Sequence, residues 1–201
     1  MFPTLPVSVQ EELASLAVFF NQPLVYHAEL DISQPFDPFS ATDRYGEVCM
    51  VIRRPNGRLV TAKKTFYPLN GYRLLTGGIN YGEPVLDALL RETHEETSLE
   101  VILRRFLAAV VYHLPGQPQQ PLFYTFAFLL DEISGTLQSL DEDEHLEYFR
   151  EISVEELSER AAFFSSQEHR YSADLGGDVA DWGQFRAVIH RLVGEALSQQ
   201  G

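Results

Sequence analysis

Residues 76–99 read Thr-Gly-Gly-Ile-Asn-Tyr-Gly-Glu-Pro-Val-Leu-Asp-Ala-Leu-Leu-Arg-Glu-Thr-His-Glu-Glu-Thr-Ser-Leu, and no other stretch constrains the fold so tightly. The glycines Gly77, Gly78 and Gly82 predict a tight turn feeding a helix over 83–97. Pro84 suits its first turn, where a missing N–H would be unpaired anyway. With Glu92 set at zero and an advance of about 100° per residue, Glu96 falls near about 40° and Glu95 near about −60°. Leu86, Leu89, Leu90, Thr93 and Thr97 take the opposite face, leaving three carboxylates on one exposed side. Like charges at this spacing repel, so a cation is their natural partner. Magnesium, a hard ion that commonly bridges carboxylates and phosphates, suits them. The plain alternative for such a cluster is a solvated acidic face.

Strand patterns surround this helix. Val48, Met50 and Ile52 alternate, Pro55-Asn56-Gly57 turns the chain, and Leu59 to Ala62 resumes an extended run, which predicts a hairpin. Further strands are predicted at 23–30, 72–76, 101–113 and 122–130. Ser8 with Glu11 forms a capping-box pattern ahead of a helix over 8–20, and Ser153 with Glu156 another ahead of a short helix over 153–160. Phe185, Val188, Ile189, Leu192, Val193 and Ala196 form one apolar stripe on a last helix over 181–198. Without regular βαβ alternation, this order predicts an α+β sandwich rather than a doubly wound sheet.

The formal net charge is −14, with an acidic concentration over 141–147. Such a surface repels a polyphosphate backbone, which argues against long nucleic acids as partners and leaves room for a short phosphate reached through a cation. Cys49, the single cysteine, excludes an internal disulfide and reads as a core thiol. The start of the chain lacks the basic flank and apolar run of a signal peptide, and the longest apolar stretch falls short of the roughly 20 residues needed to span a bilayer. A cytoplasmic protein with no membrane partner is expected. His94, His113, His145, His169 and His190 show no metal-ligand spacing, and Gly176-Gly177-Asp178 lacks the lysine of a phosphate-binding loop.

The spacing Gly77, five residues, Glu83, seven residues, Arg91-Glu92-Thr93-His94-Glu95-Glu96-Thr97-Ser98-Leu99 resembles the Nudix box, Gly-x5-Glu-x7-Arg-Glu-U-x-Glu-Glu-x-Gly-U, with U a bulky apolar residue. Every glycine and charged position from Gly77 to Glu96 matches. Thr93 stands where an aliphatic residue is usual, and Ser98 replaces the last glycine. If position 98 requires positive φ, the serine costs on the order of 1 kcal/mol.

The resemblance implies an α/β/α sandwich with a mixed sheet. Its expected organisation is an N-terminal helix and strand extension (1–45), a hydrolase domain (46–160) and a C-terminal helical extension packed on it (161–201). It implies that Glu92, Glu95, Glu96 and the main-chain carbonyl of Thr76 ligate Mg2+ or Mn2+. Arg91 would orient a helix carboxylate and Glu83 would support the loop–helix geometry. The metal would neutralise a diphosphate and lower the pKa of an attacking water. Candidates for the general base are Glu95 and, in the acidic run, Glu142, Asp143, Glu144 and Glu147, with Glu144 the choice among the latter. Gly77 and Gly78 are candidate substrate contacts. So is Pro115, whose distance from Leu99 resembles the marker of the family's ADP-ribose pyrophosphatases. Tyr112, Phe123 and Tyr124 are candidate stacking platforms.

The expected function is hydrolysis of a nucleoside diphosphate derivative, ADP-ribose or a nucleotide sugar. The alternatives are a non-catalytic nucleotide sensor and a nucleoside triphosphate pyrophosphohydrolase. A homodimer is compatible with the apolar stripes of the end helices.

Overall fold

The computed structural model describes residues 2–139 and 146–199. In chain order the elements are α1 (Val7–Phe19), β1 (Leu24–Glu29), β2 (Arg44–Arg53), β3 (Leu59–Lys64), β4 (Leu75–Asn80), α2 (Val85–Thr97), β5 (Leu99–His113), β6 (Pro121–Gly135), β7 (Leu146–Ile152), α3 (Glu156–Ser165), β8 (Tyr171–Ser172), β9 (Gly177–Asp178) and α4 (Val179–Ser198). The α+β class follows from this order.

Seven strands form one mixed sheet, ordered β1-β5-β6-β2-β3-β7, with β4 also paired to β2. β6 runs parallel to β2 along Gly46 to Arg53. β4 and β3 therefore share the other flank of β2, β4 antiparallel to its first half and β3 meeting it only at the Arg53–Leu59 hairpin end. The parallel pairing of β1 with β5 carries the N-terminal segment into the sheet.

The alternation of β2 separates two cores. Val48, Met50 and Ile52 pack on one face with Ala88 and Leu89 of α2 and Leu13 and Leu16 of α1. Cys49 and Val51 pack on the other with Leu157 and Phe164 of α3 and Phe185, Ile189 and Leu192 of α4. The result is three layers, with α1 and α2 on one side of the sheet and α3 and α4 on the other. Burial pushes the Cys49 thiol far above its ordinary pKa, so it is a core residue and no nucleophile.

Several boundaries differ from the sequence reading. Gly77 and Gly78 lie within β4 rather than in a turn; glycine's poor strand propensity conceals a strand whose pairing with β2 is supplied from a distance. The turn belongs to Gly82, at φ 85°. The Ser8–Glu11 capping box does not form, because α1 begins at Val7 after Pro6 and has no side-chain cap. Glu12 instead accepts hydrogen bonds from the Val85 and Leu86 N–H groups (both 2.9 Å), placing a carboxylate at the unpaired N-terminus of α2. At Ser153 the Glu156 carboxylate does accept the backbone N–H (2.7 Å), but α3 starts only at Glu156 and continues to Ser165. No described helix is long and apolar enough to cross a membrane.

Candidate active site

The end of β4 and the exposed side of α2 meet at a cavity of about 270 Å³. Thr76, Gly77 and Gly78 line it from β4, Arg91, Glu92 and Glu95 from α2, Arg44 and Glu47 from β2, and Trp182 and Arg186 from α4. Gly77 sets the spacing between strand and helix: a Cβ there would lie 2.2 Å from Cγ and Cδ of Glu92. Only a residue without a side chain lets this carboxylate lie against the strand backbone beside Thr76.

Arg91 ties the parts together. Its Nε and Nη2 donate to the two oxygens of Glu83 (2.7 and 2.9 Å), its Nη1 to Glu92 (2.8 Å) and Glu95 (3.0 Å), and its Nη2 also to the Gly78 carbonyl (3.1 Å). The Arg91 hydrogen bonds hold the Glu83 carboxyl below the usual glutamate pKa, aided by the Asn80 backbone N–H, which donates to it. Reciprocally, Glu83 and then Glu92 raise the Arg91 pKa, so the Arg91–Glu83 pair stays charged.

The helix carboxylates occupy three depths. The Glu95 side chain is 44% exposed and that of Glu92 13%, whereas Glu96 is 1% exposed. The expectation of three carboxylates on one exposed side is corrected for Glu96. Val85, Ala88, Leu89, Thr93 and Thr97 make up the buried face of α2, while Leu90 is 45% exposed, so the buried face is rotated toward Glu96. Burial alone disfavours the charge of Arg73, but Tyr67, Glu96 and Glu47 more than offset it, so its pKa lies above the ordinary value and Glu96 acts within its electrostatic reach.

All these donors are oxygens: carboxylates at three depths and the strand carbonyls beside them. Such a set fits a hard divalent cation, and the space left at Gly77 brings Glu92 to the strand side of it. A second group with ligand atoms within 4.8 Å of one another is His169, Asp178 and Asp181. It is engaged in holding the fold: Asp178 caps α4 through the Ala180 and Asp181 N–H groups, and Asp181 accepts from both N–H and Oγ of Ser33.

Ser98 takes the left-handed conformation at the C-cap of α2, φ 57°, so position 98 does require positive φ. Its Oγ donates to the Gln138 carbonyl. Thr93 is buried and its Oγ1 donates to the Leu89 carbonyl, which satisfies the hydroxyl within the helix. Neither departure from the box disturbs the acidic side.

Other sequence candidates lie elsewhere. Tyr112 is fully buried against Phe39 and Phe185 and so belongs to the core, not to a substrate surface. Phe123 is likewise buried among Phe39 and Phe185, and Tyr124 packs against Phe2. Pro115 sits on the exposed turn between β5 and β6 and does not line the cavity. Glu144, with Glu142 and Asp143, lies outside the described residues, and the side chain of Glu147 does too.

Sequence reasoning missed the floor of the cavity. Arg186 donates to both oxygens of Glu47 (2.8 and 3.0 Å) in a buried ion pair, and Thr125 donates to the same carboxylate. Arg73 donates to the Tyr67 hydroxyl (2.9 Å), the Leu74 carbonyl and Thr76 Oγ1. His190 Nε2 accepts the Leu74 N–H, and its Nδ1 faces the Arg186 carbonyl at 2.7 Å. Burial lowers the His190 pKa to about 3, so it is a neutral structural imidazole. Glu47, Arg73, Arg186 and His190 carry no local spacing signal. The one available hint was polar residues recurring inside the apolar stripe of the last helix.

An ADP-ribose pyrophosphatase of Methanocaldococcus jannaschii is 31% identical over 100 residues, which make up 49% of this chain and 57% of that protein. The match thus spans just over half the length of that relative. Among solved structures, an ADP-ribose pyrophosphatase from Streptococcus suis 89-1591 is 16% identical, with a TM-score of 0.46, over 78% of this chain and 94% of that one. A UDP-X diphosphatase is 15% identical, with a TM-score of 0.47, over 96% of this chain and 72% of that one. The family model of the NUDIX domain matches residues 44–173, more than half of the chain and all of the strand and helix that build the acidic site, so the chain belongs to the NUDIX family.

Proposed function

We propose that the chain is a Mg2+- or Mn2+-dependent hydrolase that cleaves the diphosphate linkage of a nucleoside diphosphate derivative, ADP-ribose or a nucleotide sugar. The observation that carries this reading is the approach of Glu92 to Gly77, fixed by the Arg91 clamp at the mouth of the cavity. NUDIX enzymes generally use divalent metals, and the named relatives act on this substrate class. Glu92, Glu95, Glu96 and the Thr76 carbonyl would hold the ion, which when bound neutralises diphosphate charge and supplies an activated water.

The chain's own residues do the rest. Arg91 fixes the rotamers of Glu92 and Glu95, and Glu83 fixes Arg91 against the strand. Arg44, anchored on Asp43 through two hydrogen bonds, brings its guanidinium over Gly78 to meet a substrate phosphate at the rim. Glu95, the most exposed of the three helix carboxylates, receives the proton of the attacking water.

Purified protein assayed with ADP-ribose and nucleotide sugars should release a nucleoside monophosphate only with Mg2+ or Mn2+. Glu92→Gln should lower kcat by about 10²–10³-fold, the usual effect of removing one electrostatic stabilising group. Metal-independent turnover, or a Glu92→Gln variant as active as the parent, overturns the reading.

A further inference from the structure

Thr76 Oγ1 accepts two hydrogen bonds from buried guanidinium groups, at 2.9 Å from Arg73 Nη1 and 3.3 Å from Arg186 Nη1. A hydroxyl has two acceptor lone pairs and one donor hydrogen. Both lone pairs are taken, so the O–H can act only as a donor, and among the described residues nothing accepts it. Thr76 lines the cavity and is 8% exposed. Arg186, which also lines the cavity, keeps a buried Nε with no hydrogen-bond partner among the described residues. Thr76 thus offers the floor a donor that the described residues do not match, while the unpartnered Arg186 Nε is itself buried. Both belong to a network of the Arg73 and Arg186 guanidiniums with the Glu47 carboxylate, and the two guanidiniums donating to the hydroxyl oxygen strengthen the O–H as a donor.

Donors backed by cations favour an anionic oxygen over a neutral one, because charge-assisted hydrogen bonds are roughly twice as strong as neutral ones. We propose that the Thr76 side-chain hydroxyl donates a hydrogen bond to a phosphoryl oxygen of the substrate, and that Arg186 of α4 holds it in place for that contact. The inference rests on the proposed diphosphate substrate. It gives α4, which lies beyond the residues matched by the family model, a direct part in substrate positioning.

Thr76→Val is the discriminating variant. It removes the hydroxyl, keeps the main-chain carbonyl, and leaves Arg73 with Leu74 and Tyr67, and Arg186 with Glu47, as acceptors. Calorimetry with adenosine 5′-(α,β-methylene)diphosphate and Mn2+ should show affinity falling about 10- to 100-fold, as expected for a lost hydrogen bond to a charged group. Thr76→Ser should restore it to within about 3-fold. Mn2+ affinity in the absence of nucleotide, read by paramagnetic resonance, should be the same in all three proteins. In a double-mutant cycle, Arg186→Lys should cost less affinity in the Thr76→Val background than in the parent, since it acts through that hydroxyl.

A Thr76→Val protein with parental affinity overturns the proposal, as does one whose Mn2+ affinity falls in parallel. Strict additivity in the cycle overturns the role of Arg186. A parent that turns over ADP-ribose beside an unaffected Thr76→Val variant sinks this inference alone. A parent that neither hydrolyses ADP-ribose nor binds the methylene analogue sinks the proposed function with it.

Discussion

α2 and α4 lie on opposite sides of the sheet, yet both reach the same cavity, and they do so by opposite means. α2 presents Glu92 and Glu95 at the cavity wall, and its Arg91 binds partners on its own helix and on the loop just before it. α4 buries nearly its whole circumference and sends Arg186 and His190 to partners more than 100 residues away in sequence. A site helix with local partners writes its function into a spacing. One with distant partners writes only an apolar stripe.

The contrast can be broken first at Arg186. Replacing it with methionine strands the Glu47 carboxylate in the interior, and urea unfolding should show a loss of about 3–5 kcal/mol. The paired Glu47→Met, Arg186→Met protein, with both charges gone, should recover most of that loss. If the single and paired variants are equally unstable, the ion pair is not what joins α4 to the strand.

On the α2 side, Gly77→Ala places a Cβ against the flexible Glu92 side chain, which can swing aside. Stability should therefore change little while kcat drops by about 10²-fold, comparable to losing one stabilising group at a reacting centre. A large fall in melting temperature would instead make Gly77 a packing glycine.

Arg91→Lys tests the clamp itself. A lysine is a point charge and cannot serve Glu83, Glu92, Glu95 and the Gly78 carbonyl together, so Mn2+ affinity should fall about 10- to 100-fold. The same clamp has a pH signature. Hydrogen bonds from Arg91 depress the Glu83 pKa below its ordinary value of 4.5, so the folded state binds fewer protons than the unfolded chain. The stabilisation is complete above that ordinary value and disappears as pH falls through the lowered folded value. Glu83→Gln should flatten this acid limb in unfolding experiments across pH.

The smallest effect belongs to Ser98→Gly. Relief of the left-handed serine should gain somewhat less than about 1 kcal/mol, offset in part by the lost bond to Gln138, and should leave kcat unchanged. A destabilised glycine variant would show that the serine hydroxyl outweighs its backbone.

These two helices also mark what the sequence made legible. The α2 acidic positions, the alternation of β2 and the stripe of α4 all arise from periods within one element, and a period survives in a linear string. The strand character of Gly77 and Gly78 does not, because the β2 partner supplies it, and neither does the Glu47–Arg186 pair. Tyr112 illustrates the reverse error: an aromatic residue on a strand is equally consistent with a platform and a core, and the packing of Phe39 and Phe185 around it decides for the core. The capping role of Glu12 was hidden for a related reason, since the helix it caps is not its own.

The most direct test is a crystal of the protein with Mn2+ and adenosine 5′-(α,β-methylene)diphosphate, examined by anomalous diffraction at the manganese edge. The manganese peak should lie between the Glu92 and Glu96 carboxylates and the Thr76 carbonyl, with the diphosphate in the cavity over Gly77. A peak at His169, Asp178 and Asp181 instead, with Glu92 still held by Arg91, would contradict it.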